Sequence, residues 1–338
     1  MKIGIHKTKT GFDSCWIEYC EKINIDYKIV DCYANDIVSQ VCDCDVVMWH
    51  YHHLGVKDVK FARQLLFSLQ QAVKKVFPDF NTAWYFDDKV GQKYLLEAIG
   101  APMAPSYVFY TKRDALSWIG TTHFPKVFKL RGGAGSSNVK LAKNRKQACA
   151  FVRRAFGRGF SQYSRWDNLK ERWRKYRLGK TTLYDVFKGV VRCFYTTDLA
   201  RMVGPEKGYA YFQDFMPANA YDLRVIVIDG KAFAIKRIVR DGDFRASGSG
   251  KIIYDHTQID LRAVQISFET VEKLGAQCTG FDFVFDEHQN PLIVEMGYGF
   301  AKEAYWNCEG YWDRDMNWHE GKINPYGWMV DTLIRDWQ

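Results

Sequence analysis

Two strand-like runs in the last third of the chain, Gly280-Phe281-Asp282-Phe283 and Leu292-Ile293-Val294-Glu295, each hold a single carboxylate among apolar residues. Successive residues of a strand face opposite ways, so such runs belong in sheets buried on at least one side. A carboxylate taken out of water there needs a cation. Asp282 and Glu295 are accordingly candidate metal ligands. Oxygen donors from neighbouring strands suit Mg²⁺, with Mn²⁺ as a substitute, when nucleotide phosphates complete the coordination. Charges on edge strands are the plainer alternative.

Upstream, Asp222-Leu223-Arg224 and Ala234-Ile235-Lys236-Arg237 likewise set charge among Val, Ile and Ala, and alternation turns Asp222 and Arg224 to one face. Arginines converging on one face are able to hold a phosphate or a developing oxyanion, whereas isolated ion pairs would explain each residue singly. Lys129 lies in the apolar run Pro125–Leu130, just before Arg131-Gly132-Gly133-Ala134-Gly135. A lysine beside bare backbone is a phosphate-binding arrangement. The spacing is not that of a P-loop, because the lysine precedes the glycines, and a flexible hairpin is the plainer reading of this motif alone.

A chain of 338 residues exceeds one ordinary core, so two or three packed units are expected. Its 47% apolar and 26% charged residues exclude a disordered or low-complexity class. No transmembrane segment is expected, and the first residues lack the apolar region of a signal peptide. The nine cysteines are odd in number and scattered, which reads as reduced thiols of a cytoplasmic protein. The net charge of +9 is local: residues 143–188 hold 14 Lys/Arg against 3 Asp/Glu. Within them Trp166, Leu169, Trp173 and Tyr176 form a stripe opposite Lys170, Arg172, Arg174, Lys175 and Arg177. That pattern predicts a basic amphipathic insertion facing an anionic partner, or simply a solvated helix face.

The first 80 residues alternate strands (Lys2–His6, Tyr27–Cys32, Asp45–His50) with helices (Ser14–Ile23, Asn35–Val41), as in a small parallel sheet. Ala62, Leu65, Leu66, Leu69, Val73 and Val76 predict one helix over Lys57–Phe77, stopped by Pro78. A second helix is expected over Asp87–Gly100. The strands Tyr209–Phe215, Asp222–Ile228, Lys231–Ile238, Thr279–Phe285 and Pro291–Met296, with a helix at Leu261–Leu274, predict a largely antiparallel sheet carrying a helix. The fold class is therefore mixed, α/β followed by α+β.

Taken together, Lys129 with its glycine loop, Gln213-Asp214-Phe215, Asp222-Leu223-Arg224, Arg237, Gly242-Asp243-Phe244-Arg245, Asp282 and Glu295 resemble the ATP-grasp fold in order and spacing over residues 85–300. The run Asp222 to Arg245 is similar to ribosomal-protein glutamate ligases, with glutathione synthetase and D-alanine:D-alanine ligase further off. The resemblance implies a small parallel N-terminal α/β domain followed by two antiparallel-sheet subdomains clamping ATP. The corresponding segments are 1–80, a connecting helix and linker at 81–118, a lid at 119–208 with the basic helical insertion 157–190, and a nucleotide- and metal-binding part at 209–338. It implies that Lys89, Lys129, Gly132, Gly133, Gly135, Gln213, Asp214, Phe215, Asp222 and Ser247 bind the nucleotide, with Asp214 at the ribose. Arg224, Arg237 and Arg245 would face the phosphates and the reacting carboxylate, and Asp282 and Glu295 would hold Mg²⁺.

The implied reaction joins a small-molecule carboxylate to an amine through an acyl-phosphate, releasing ADP and phosphate. A small-molecule kinase on the same fold and a non-catalytic nucleotide-binding module for an anionic polymer are the alternatives. Two departures stand out: Glu295-Met296-Gly297 where the family reads Glu-x-Asn, and Arg245-Ala246-Ser247 where it reads Arg-x-Asn. Catalysis with one metal, or with the Asp243 or Asp286 carboxylate as a substitute ligand, is the expectation that follows. The aromatic tail from Gly297 to Gly321 suits a sugar-containing acceptor, or a plain core, and resembles ATP-grasp proteins of surface-carbohydrate biosynthesis. Trp49-His50-Tyr51-His52-His53 ends the third strand, where open parallel sheets place ligands, and reads as a substrate-contacting or ordinary loop.

Overall fold

The run Lys2–His6 becomes an inner strand of a four-stranded parallel sheet, flanked by Asp26–Val30 and Val46–Met48, with Lys75–Phe77 beyond. The computed structural model in which this is seen describes residues 1–53, 55–133, 138–161, 173, 176, 182, 204–239 and 251–335. The chain divides into two compact units, Met1–Ala104 with Met216–Gln338, and Pro105–Phe215.

In the first unit a second sheet of seven described strands runs Pro291–Gly297, Cys278–Phe285, Tyr221–Ile228, Lys231–Ile238, Gly310–Trp312 and Trp318–Glu320, with Ile252–Ile253 against Lys231–Ile238. Alternation sorts its two faces. Leu223, Val225, Val227, Phe281 and Phe283 pack with Ala263 and Val264 of the helix Leu261–Leu274. The helix is capped by Asp260, which accepts from the Arg262 N–H, and closed by Gly275 at φ 61°. Ile226, Ile228, Phe233 and Ile235 turn the other way, into a core shared with the parallel sheet and the helix Pro325–Ile334. Asp222, Arg224 and Arg237 share that second face by the period of two, which brings charge to the rim of an apolar core.

The second unit has a four-stranded antiparallel sheet in the order Ser106–Phe109, Ala210–Asp214, Lys126–Lys129, Val139–Ala142. Phe128, Leu130 and Phe212 pack with Ala115 and Ile119 of the helix Lys112–Thr121 and with Ala148 and Val152 of the helix Arg145–Ala155. The strand Ala210–Asp214, grouped by sequence with the last third, pairs here with Ser106–Phe109 and Lys126–Lys129. No described helix is long and apolar enough to cross a membrane. The helix expected over residues 166–177 lies outside the described residues apart from Trp173 and Tyr176, whose rings stand 5.9 Å apart.

One expected element is two. The helix ends at Gln71, and Lys75–Phe77 is a strand paired in parallel with Val46–Met48. Val76 and Phe77 fit the helical period, yet they are buried by the sheet. Between them Val73 adopts φ 63° with its side chain almost wholly exposed. A β-branched residue in the left-handed region is strained by about 1–2 kcal/mol, and no packing compensates here. Val73→Asn is expected to raise unfolding stability by about 1 kcal/mol, read as a higher midpoint in urea with an unchanged slope.

Candidate functional site

The antiparallel register of the first unit sets the geometry. Asp222 pairs with Arg237, Arg224 with Asp282, and Asp282 with Glu295, so five charged residues occupy contiguous positions on four strands. Arg237 donates from Nε and Nη2 to the two Asp222 oxygens at 2.6 and 2.8 Å, and its Nη2 stands 3.0 Å from Asp282 Oδ1. Arg224 Nη1 donates to Asp282 Oδ1 at 3.1 Å, and Nη2 to the Gly299 carbonyl at 3.1 Å. A register shift falls between Asp282 and Phe283, directly beside the carboxylate; bulges of this kind re-aim side chains at sites.

Burial opposes the charge on both arginines, but Asp282 and the other negative groups around them together outweigh it, and both pKa values lie above the ordinary arginine range. Burial pushes the Asp222 carboxyl up, to about 6, against the pull of Arg237. With a guanidinium seated on both its oxygens, the ionised form is the one the geometry fits.

Lys89 opens the helix Lys89–Ala98, whose Asp88 cap accepts from the Gly91 N–H at 2.9 Å. That start places the buried Lys89 ammonium 3.1 Å from Glu295 Oε1. Gln92, one turn on, accepts from the Met296 N–H and donates to the Tyr85 carbonyl, tying the Glu295 strand to the helix. Sequence reasoning did not single out Gln92. The face drawn by Val90, Tyr94, Leu95 and Ile99 does not mark it, because Gln92 stands two residues from Val90 and from Tyr94, whereas the helix buries Lys89, Gln92, Lys93 and Leu96 and exposes Tyr94. At Gly297, a Cβ would lie 3.5 Å from the Phe86 ring, so an aromatic flanks the position where an Asn was expected.

In the second unit Lys129 is buried, with Tyr211 and Val139 as its strand partners. Asn138 Nδ2 donates to the Gly132 carbonyl at 3.1 Å, and Gly133 sits at φ 104°, a conformation that favours glycine. The Gln213 amide donates to Ser106 Oγ at 3.0 Å. Lys126 pairs with Asp214 while lying over the rings of Tyr107 and Trp118 at 5.4 and 5.8 Å. Phe215 follows the end of the strand Ala210–Asp214. Gly135, Asp243, Arg245 and Ser247 lie outside the described residues.

Asp286, an expected substitute ligand, instead closes a turn, accepting from the N–H groups of His288 and Asn290 at 2.9 and 2.7 Å. Among the described residues no group of three or more His, Cys, Asp or Glu is placed to hold an ion. The opposed Asp282 and Glu295 still fit Mg²⁺, which takes one or two carboxylates and draws its other oxygens from phosphate and water.

The parallel sheet and the two antiparallel sheets are those of the ATP-grasp fold. Residues 189–303 match the family model described as a RimK-like ATP-grasp domain. It is similar in structure to D-cycloserine synthetase DcsG, with a TM-score of 0.57 and 15% identity over 100% of both chains. It is similar also to a RimK domain ATP-grasp protein of Sphaerobacter thermophilus, at 0.56 and 12% over 99% of this chain and 100% of that one. D-alanine–D-alanine ligase of Bacillus anthracis gives 0.53 and 15%, covering 99% and 96%. A search of curated protein sequences gives no significant match.

Because Arg237 answers two carboxylates, removing it leaves both under-compensated. Arg237→Met is expected to lower stability by about 3–5 kcal/mol, the range for breaking a buried pair from one side. Adding Asp222→Leu should restore part of that loss, and a double-mutant cycle in urea measures it.

Proposed function

We propose that this protein is an ATP-dependent ligase that activates a carboxylate by phosphoryl transfer and joins it to an amine. The observation that carries the reading is the register-built cluster of Asp222, Arg224, Arg237, Asp282 and Glu295 on one face of an ATP-grasp sheet. Two arginines held cationic in a dry setting are suited to the charge that accumulates on a transferring phosphoryl group and on the tetrahedral carbon that follows. Asp222 orients Arg237 by accepting from both sides of its fork, and Asp282 spaces the two guanidinium groups. Asp282 and Glu295 are the residues that would hold Mg²⁺, which when bound supplies positive charge to the nucleotide phosphates. Lys129 and the glycines at 132 and 133 are proposed as phosphate contacts, and main-chain groups near Asp214 and Phe215 as the adenine contact, on the sequence resemblance.

A screen of ADP and inorganic phosphate release over amino acids, amino sugars and uronic acids tests the reading. Both products with an amine present support a ligase. ADP without free phosphate, the phosphate remaining on the acceptor, makes it a kinase. ATP bound with no ADP formed makes it a binding module.

Lys129→Ala is expected to weaken ATP binding by about 1.5–3 kcal/mol, the value of a charge-assisted contact; calorimetry showing unchanged affinity in a folded variant removes Lys129 from the site. Glu295→Gln is expected to abolish ADP release in a variant that stays folded with a lowered thermal midpoint, since it loses a metal-binding charge and the carboxylate partner of the buried Lys89 ammonium. Wild-type turnover by that variant would refute the metal assignment.

A further inference from the structure

The antiparallel ladder between Lys126–Lys129 and Ala210–Asp214 ends at the pair Lys129 and Tyr211. Past that point two side chains take over from the main chain. Continuing the register would set Tyr209 opposite Arg131, and there the Tyr209 hydroxyl, in place of a carbonyl, accepts from the Arg131 N–H at 2.6 Å. On the other side the Leu130 N–H donates to the Asn138 carbonyl at 3.1 Å, and Asn138 Nδ2 donates to the Gly132 carbonyl at 3.1 Å. Arg131 and Gly132, just beyond the buried Lys129, are thus gripped from both neighbouring strands.

Each grip is itself fixed. The Tyr209 hydroxyl donates to Glu206 Oε2 at 3.1 Å, and Glu206 belongs to the short strand Pro205–Glu206, paired with Phe160–Ser161. Burial first, then the Glu206 charge, raises the Tyr209 pKa above its ordinary value, so the hydroxyl keeps its proton at neutral pH. With that proton committed to Glu206, the oxygen lone pairs are left to the Arg131 N–H. Asn138 is buried, and a Cβ on Gly133 would fall on its Nδ2, so space as well as the φ of 104° requires glycine there.

We propose that Tyr209 and Asn138 are positioning residues for the nucleotide phosphates, fixing the peptide groups from Arg131 to Gly133 beside Lys129 so that a polyphosphate meets them already ordered. This rests on the ligase reading above, in which Lys129, Gly132 and Gly133 contact phosphate. A ligand that binds backbone must otherwise order it, at a cost in affinity that prior fixing removes. The two side chains hold the stem of the loop and touch neither the base nor the sugar in that reading, so their effect belongs to the phosphates alone.

The test compares adenosine, ADP, ATP and inorganic tripolyphosphate on the full chain with Mg²⁺, by titration calorimetry, with adenosine read by displacement of ADP. Tyr209→Phe keeps the ring and loses the hydroxyl. It is expected to weaken ATP, ADP and tripolyphosphate about tenfold, the size of one lost neutral hydrogen bond, and to leave adenosine as in the wild type. Asn138→Ala releases the Gly132 carbonyl and should give the same split; it carries the test should Tyr209→Phe fail to fold. Unchanged ATP affinity in the folded variants, or adenosine weakened in step with ATP, would overturn the positioning role and leave the ligase reading standing. The expected split with no ADP formed from any carboxylate and amine keeps the positioning role and sinks the ligase reading instead. A wild-type chain that binds none of the four ligands overturns both.

Discussion

Arg237 reaches two carboxylates on two different strands, Asp222 directly opposite it and Asp282 one strand further, and the other charges are placed relative to that bridge. Antiparallel pairing is what makes the bridge available. Residues opposite one another across a ladder lie about 4.5–5.5 Å apart, close enough for a guanidinium to span to a neighbour. The face that carries these charges is also the face whose Ile226, Ile228, Phe233 and Ile235 are packed in the first unit's core. Hydrophobic burial thus locks the register, and the register holds the ions. A slip of one residue would send every charge to the side covered by the helix Leu261–Leu274.

Much of this was legible in the chain because it depends on a period of two. Asp222, Arg224, Arg237 and Asp282 interrupt apolar runs at positions that alternation assigns to one side, and the strands Lys2–His6 and Lys231–Ile238 fall where composition puts them. What was not legible depends on partners far apart in sequence or on a backbone choice without a residue signal. The Lys89 to Glu295 pair joins residues about two hundred positions apart and requires a helix start to meet a strand end. The turn at Val73 uses a residue that disfavours it, so nothing marked the break between helix and strand. The histidine run at residues 50–53 was visible, but that His50 would be sealed between aromatic rings with both nitrogens unanswered follows only from packing.

The departure at Gly297 has a physical reading. The Phe86 ring flanks the position, and Phe86 also packs edge-on or tilted against Tyr51, His53 and Tyr298. A polar side chain in place of Gly297 would project beside that aromatic group, where an amide gains little. The nearby charge is balanced in another way: Asp222, Asp282 and Glu295 face Arg224, Arg237 and Lys89, three anions against three cations.

That balance constrains how the site works. Charged residues at the rim of an apolar core are tolerable only while paired, so the cluster stabilises itself before any ligand arrives. A cation approaching Glu295 meets the Lys89 ammonium 3.1 Å away, and the two must share the carboxylate or part. In the proposed ligase, nucleotide phosphates would resolve the conflict, because they would give the ammonium an alternative anion while supplying oxygen ligands to the metal. Metal and nucleotide are therefore expected to bind better together than either does alone, a coupling whose origin is the ion pair already present.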